Sequence, residues 1–138
     1  MTRIDFHLHV EDALLYTCRL VRKAYGSGLK PVVFCKDDTV LAQLDQLLWS
    51  FSEDDFLPHA KTGTAAVQQS PIVLTHQAED IVHYDLLINL DSECAPFFAR
   101  FDRLIEIVGT TEPAKQQARE RYKFYKDRGY PLQTFERG

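Results

Sequence analysis

The run Pro31-Val32-Val33-Phe34-Cys35 constrains the fold more than any other stretch of the chain. A short segment that is apolar throughout, without alternation, is a strand buried on both faces, the place a parallel sheet gives its interior strands. The surrounding periodicities agree. Arg3 to Val10 alternates, with Ile4, Phe6, Leu8 and Val10 on one side and Arg3, Asp5, His7 and His9 on the other, which predicts a strand with one buried and one exposed face. Glu11 to Tyr25 changes to a helical period through Leu14, Cys18, Val21 and Tyr25, and Gly26-Ser27-Gly28 closes the helix. After Cys35, Asp37 or Asp38 caps a second helix whose apolar stripe runs through Val40, Leu41, Leu44, Leu47 and Leu48 to Trp49. Strand, helix, strand and helix in this order call for crossover connections and a parallel sheet.

The remainder continues the alternation. Ser50 to Ser70 reads as a long loop and Pro71 to Thr75 and Tyr84 to Leu90 as buried strands, while Asp91 or Ser92 caps a short helix through Phe97, Phe98 and Phe101 whose regular part Pro96 confines. Leu104 to Val108 is a further strand, a helix follows, and Leu132 to Phe135 adds an extended segment. The expectation is one three-layer, Rossmann-like α/β domain over residues 1–138, with a mainly parallel sheet of about five strands flanked by helices. The order of the strands is not legible.

Composition narrows the function classes. A chain of 138 residues that is 45% hydrophobic can bury one core, and no apolar run reaches the ~20 residues that cross a bilayer, so a soluble cytoplasmic protein is expected. Cys18, Cys35 and Cys94 are far apart and set in apolar sequence, as reduced core residues are. A net charge of −4 argues against a broad direct grip on nucleic acid, so contact with DNA would run through partners. No phosphate-binding glycine loop occurs, and the first strand runs into Glu11-Asp12, whose carboxylates repel phosphate. His7 and His9 share a strand face with Asp5 but have no evident third ligand, and His76 and His83 flank the acidic turn at Glu79-Asp80. Solvated polar positions account for both groups better than a metal or an acid–base pair does. Neither a catalytic residue nor a metal or cofactor site is expected.

Two stretches stand out chemically. In Ala114 to Gly129 a helical period puts Lys115, Arg119, Lys123 and Lys126 on one side and Ala114, Ala118, Arg121 and Tyr125 on a neighbouring one, with Tyr122 on the border. Thr110 or Thr111 can cap this helix, Pro113 suits its first turn, and Gly129 its end. A cationic stripe edged by an aromatic ring, in a chain with 20 acidic and 16 basic residues, is either a solvated surface or a dock for an acidic or phosphate-bearing partner. The second stretch, Trp49 to His59, groups aromatic residues with Pro58 on a polar loop. Such aromatics either fold back on the core or anchor a partner.

Both stretches carry a resemblance. Lys115-Gln116-Gln117-Ala118-Arg119-Glu120-Arg121-Tyr122-Lys123, with Tyr125, Lys126 and Gly129 beyond it, is similar to the C-terminal signature of the chi subunit of bacterial DNA polymerase III. Leu47-Leu48-Trp49 followed by Phe56-Leu57-Pro58-His59 resembles the same family upstream. The resemblance implies a non-catalytic clamp-loader accessory subunit that joins the acidic C-terminal tail of single-stranded DNA-binding protein to the psi subunit. It assigns the tail, with its aspartates and terminal phenylalanine, to Lys115, Arg119, Tyr122, Lys123 and Thr134. It assigns psi, or a comparable partner, to Trp49, Phe56, Leu57, Pro58 and His59. Gln117, where the family carries an apolar residue, and Phe135, where it carries tryptophan, depart from the pattern. The alternatives are an α/β enzyme or nucleotide binder with an unrecognised site, and a general interaction module for another partner such as a helicase.

Overall fold

The computed structural model describes residues 1–51, 59–61, 70–78 and 81–137. Seven strands among them form one sheet in which every pairing is parallel: β1 (Arg3–Leu8), β2 (Pro31–Phe34), β3 (His59–Lys61), β4 (Ile72–Thr75), β5 (Leu86–Asn89), β6 (Arg103–Ile107) and β7 (Leu132–Glu136). Their order is β3-β4-β2-β5-β6-β1-β7. Helices α1 (Ala13–Gly26) and α2 (Asp38–Phe51) cover one face; α3 (Glu112–Asp127) and a 3₁₀ turn at Phe98–Arg100 cover the other. The three layers and the parallel sheet match the sequence expectation, with two strands more than its five. The additions are β3, which lies inside the stretch expected to be loop, and β7, where the C-terminal extended segment pairs with β1.

Local chemistry explains the elements. Asp12 caps α1 by accepting from Leu15 N–H at 3.1 Å, and Asp37 accepts from Thr39 N–H at 2.9 Å at the start of α2. Gly28, at φ +85°, turns the chain out of α1 toward β2 in a conformation that side chains disfavour. Every residue of β2, β4 and β5 is buried, as their apolar runs require, with Thr75 and Asn89 the polar residues that end β4 and β5.

The polar face of β1 is where the structure corrects the sequence. Asp5 and His7, expected in solvent, are 1% and 3% exposed. The cause is strand order: β1 is interior, between β6 and β7, and α1 lies over the face that the alternation left polar. Arg103 donates two hydrogen bonds to Asp5 Oδ2, at 3.0 and 2.8 Å, and the Tyr16 hydroxyl lies 2.5 Å from His7 Nδ1. Arg3 and His9, at the ends of the alternation, are exposed as expected.

Candidate functional site

Helix α3 is set by its caps and by one buried polar network. Thr111 accepts from Ala114 N–H at 3.3 Å, Pro113 occupies the first turn, and Gly129 follows the last turn at φ +80°. Ala118, Arg121 and Tyr125 are its buried face. Beneath them lies Glu106 of β6, fully buried, which receives Arg121 Nε at 3.0 Å, the Tyr125 hydroxyl at 2.5 Å and Asn89 Nδ2 at 3.0 and 3.1 Å. Burial pushes the Glu106 carboxyl upward from its ordinary range, and Arg121, Tyr125 and Asn89 oppose that push. The Tyr125 hydroxyl is driven upward by burial and by Glu106, so it stays a donor.

This anchoring turns the neighbouring side of α3, with Ala118 on the border, toward the β1–β7 edge of the sheet. A pocket of about 240 Å³ opens there, between α3 and the ends of β1, β6 and β7. Its walls are apolar, from Phe6, Leu8, Val108 and Ala118. Lys115, Arg119 and Tyr122 line it from the helix, and Thr134 from β7, where it pairs with Phe6. The Tyr122 ring meets Phe6 edge to face at 5.4 Å, which fixes it as a wall. Arg119 is exposed and, among the described residues, donates only a long 3.4 Å bond to Gln116, while Lys115 Nζ lies 3.8 Å from Glu112. Both cations are therefore weakly engaged among the described residues and face the pocket.

Four of the five residues that the family resemblance groups together thus surround one cavity. Lys123 does not line it; it is exposed one turn beyond Arg119. The sequence reading missed His9, which leaves β1 at φ +60°, pairs with Glu136 and borders the same pocket. It missed the floor as well, because Phe6, Leu8 and Val108 carry only the signal of core residues. Of the two departures from the family pattern, Gln117 points to solvent and Phe135 packs edge-on against His7 at 5.5 Å.

The second candidate region divides. Trp49, near the end of α2, is 54% exposed, and its ring lies 4.6 Å from that of His59. His59 belongs to β3; its side chain is sealed from solvent, with Nε2 3.1 Å from Asp45 Oδ1. It therefore supports Trp49 from below. Phe56, Leu57 and Pro58 lie outside the described residues. Thr39, Gln43, Gln46 and Leu47 continue the Trp49 surface as a shallow hollow along α2.

Among the described residues no three His, Cys, Asp or Glu side chains are placed to hold a metal ion, and no helix is long and apolar enough to cross a membrane. Burial pushes the Cys18 thiol up to about 11 and raises Cys35 and Cys94, away from thiolate reactivity.

Layering, strand order and helix placement define a three-layer, Rossmann-like α/β domain with a cation-rimmed pocket beside its C-terminal helix. The family model described as "DNA polymerase III chi subunit, HolC" matches residues 1–133. DNA polymerase III subunit chi of Pseudomonas aeruginosa is 36% identical over 137 residues, covering 96% of this chain and 95% of that protein. The Haemophilus influenzae protein of the same name is 32% identical, covering 94% of both, and that of Escherichia coli 30%, covering 85% and 80%. The chain belongs to the DNA polymerase III chi-subunit family.

Proposed function

We propose that the protein is a non-catalytic accessory subunit of the DNA polymerase III clamp-loader complex. Its α3 pocket takes the acidic C-terminal tail of single-stranded DNA-binding protein, and its Trp49 surface takes the psi subunit. The observation that carries the first part is the gathering of Lys115, Arg119, Tyr122 and Thr134 around one apolar hollow. A tail that ends in a phenylalanine carboxylate preceded by aspartates needs an apolar cavity for the ring and cations beside it. An apolar cavity of ~150 Å³ already accepts a benzene ring, and this one has about 240 Å³. Arg119 suits a planar, two-point grip on a carboxylate, Lys115 a point charge, and the exposed Lys123 the upstream aspartates.

The psi assignment rests on Trp49, a large exposed aromatic held by a buried neighbour, the arrangement from which interface anchors are made. DNA would then be reached only through partners, in keeping with the net negative charge.

The deciding experiment is calorimetric titration with an acidic peptide ending in phenylalanine, beside the same peptide ending in alanine. One-to-one binding of the first, lost with the second and with Arg119→Ala, supports the reading. Equal binding of both peptides, or no effect of Arg119→Ala, overturns it.

A further inference from the structure

Behind the α3 pocket, across the same two strands, lies a second and larger cavity that the chi reading does not use. Neighbouring side chains of a strand point to opposite faces, so Thr134 lines the α3 pocket while Phe135, next along β7, lines a cavity of about 430 Å³ on the α1 side. Four cations border it: Arg19 and Lys23 from α1, Arg103 from β6 and Arg137 beyond β7. Among the described residues, only Arg103 of these four is committed to a carboxylate, through Asp5. Glu11 and Asp12 line an adjoining hollow that shares Arg19 and Arg137, and Asp12 is occupied in capping α1.

Hydrogen-bond bookkeeping within the cavity adds a buried donor. Burial raises the Tyr16 phenol while the nearby Arg137 charge lowers it, and a cation on that side favours the hydroxyl oxygen turned toward it with the proton turned away. The single hydroxyl proton of Tyr16 is then free for His7 Nδ1, 2.5 Å away, which leaves Nδ1 an acceptor and puts the proton of the neutral ring on Nε2. His7 Nε2 is buried and has no hydrogen-bond partner among the described residues, and His7 lines this cavity. A buried N–H without an acceptor is costly, and here it sits among four cations. The ring is held neutral: burial, then Arg137, Arg103 and Lys23, lower its pKa to about 4 against the opposing pull of Asp5.

We propose that this cavity binds a small phosphate-bearing molecule, with Arg19, Lys23 and Arg137 facing the phosphoryl oxygens and His7 Nε2–H donating to one of them. Charge selects the class. Three uncommitted cations match the two or three negative charges of a phosphoryl or diphosphoryl group, whereas a single carboxylate would neutralise one of them. Shape selects a small molecule over a nucleic-acid strand, because the cations ring a hollow and do not form a track along the surface. Leu20, Leu29 and Phe135 add apolar wall, so the phosphate can carry an organic substituent.

The test is calorimetry with inorganic pyrophosphate and with ADP, alongside NMR of the His7 ring nitrogens. Pyrophosphate should bind one-to-one, shift the His7 Nε2 resonance, and raise the His7 pKa, since an anion offsets the field of Arg19, Lys23, Arg103 and Arg137 without displacing Asp5 or Tyr16. Arg19→Ala and Lys23→Ala, both exposed positions on α1, should each weaken it by about tenfold with unchanged melting. Arg119→Ala, in the other pocket, should leave it unchanged. Tighter binding of ADP than of pyrophosphate assigns the apolar wall to a nucleoside; equal binding assigns the site to the phosphates alone. The proposal is overturned if millimolar pyrophosphate leaves His7 unmoved, as it would if a water shared with Asp5 Oδ1 satisfied Nε2. It is equally overturned if Arg119→Ala abolishes binding while the α1 variants do not, or if a single-stranded oligonucleotide displaces pyrophosphate through these cations.

Discussion

Arg121 of α3 donates through Nε to Oε1 of Glu106 at 3.0 Å, with both side chains buried under the helix. The contact fixes the rotation of α3, because Glu106 sits on β6 in the middle of the sheet and accepts donors from Asn89 and Tyr125 as well. A helix pinned this way presents Lys115, Arg119 and Tyr122 together to one hollow. Arg121→Ala would leave the Glu106 charge buried without its cation, at a cost of about 3–5 kcal/mol. Urea denaturation should report that loss. Arg121→Met combined with Glu106→Leu should recover most of it, because an apolar pair of similar volume avoids the desolvation of both charges.

The α3 pocket makes a different prediction, in binding and not in stability. Arg119 is exposed and lightly bonded, so Arg119→Ala should leave the melting temperature unchanged while weakening the acidic tail peptide by about tenfold or more, the loss of one charge-assisted contact. Binding should also weaken between 0.05 and 0.5 M salt, since screening of exposed charges acts within ~10 Å at 0.1 M. Salt-independent binding would show that the cations are not part of the contact.

How much of this was legible depended on what each residue signals on its own. The buried strands announced themselves because Val32, Val33 and Phe34 leave no polar face, and the stripe of α3 followed from its period. Glu106 gave no such signal: inside Leu104 to Val108 it looks like the exposed position of a strand, and its burial depends on Arg121 and Tyr125 arriving from another element. Asp5 and His7 misled for the same reason, since strand order decides whether an alternating face meets water, and order is a long-range property. His59 was grouped with the Trp49 contacts by its place in the sequence, whereas β3 places it underneath. The shared side of Lys115 and Arg119, with Tyr122 on its border, was readable because the helical period alone brings them together over two turns.

The buried His7 makes stability depend on pH. Its folded pKa of about 4 lies below the ordinary 6.5, so between those values the unfolded chain binds the extra proton. The contribution of neutral His7 is therefore complete above pH 6.5 and is lost as the pH falls toward 4, by ~1–2 kcal/mol once solvent at the cavity mouth is allowed for. Comparing unfolding at pH 7 and pH 4.5 for the protein and for His7→Gln isolates this effect. The glutamine variant should have the shallower dependence, and parallel slopes would remove His7 as the cause.

The Trp49 surface and the α3 pocket should fail independently. They belong to different parts of the sheet, Trp49 beside β3 at one edge and Thr134 on β7 at the other, with five strands between. Substitutions at sites without shared partners add. Trp49 is 54% exposed, so Trp49→Ala removes far less packing than the ~3–5 kcal/mol of a fully buried tryptophan, and the melting temperature should fall only slightly. An anchor of this kind commonly costs ≥2 kcal/mol of binding energy when truncated, about thirtyfold or more in the dissociation constant for psi. His59→Ala should behave differently, lowering both stability and psi binding, because it empties a sealed position and unseats the ring above it. Measuring melting, psi binding and tail-peptide binding on both variants separates support from contact. A Trp49→Ala protein that melts normally and loses the tail peptide would join the two surfaces into one site.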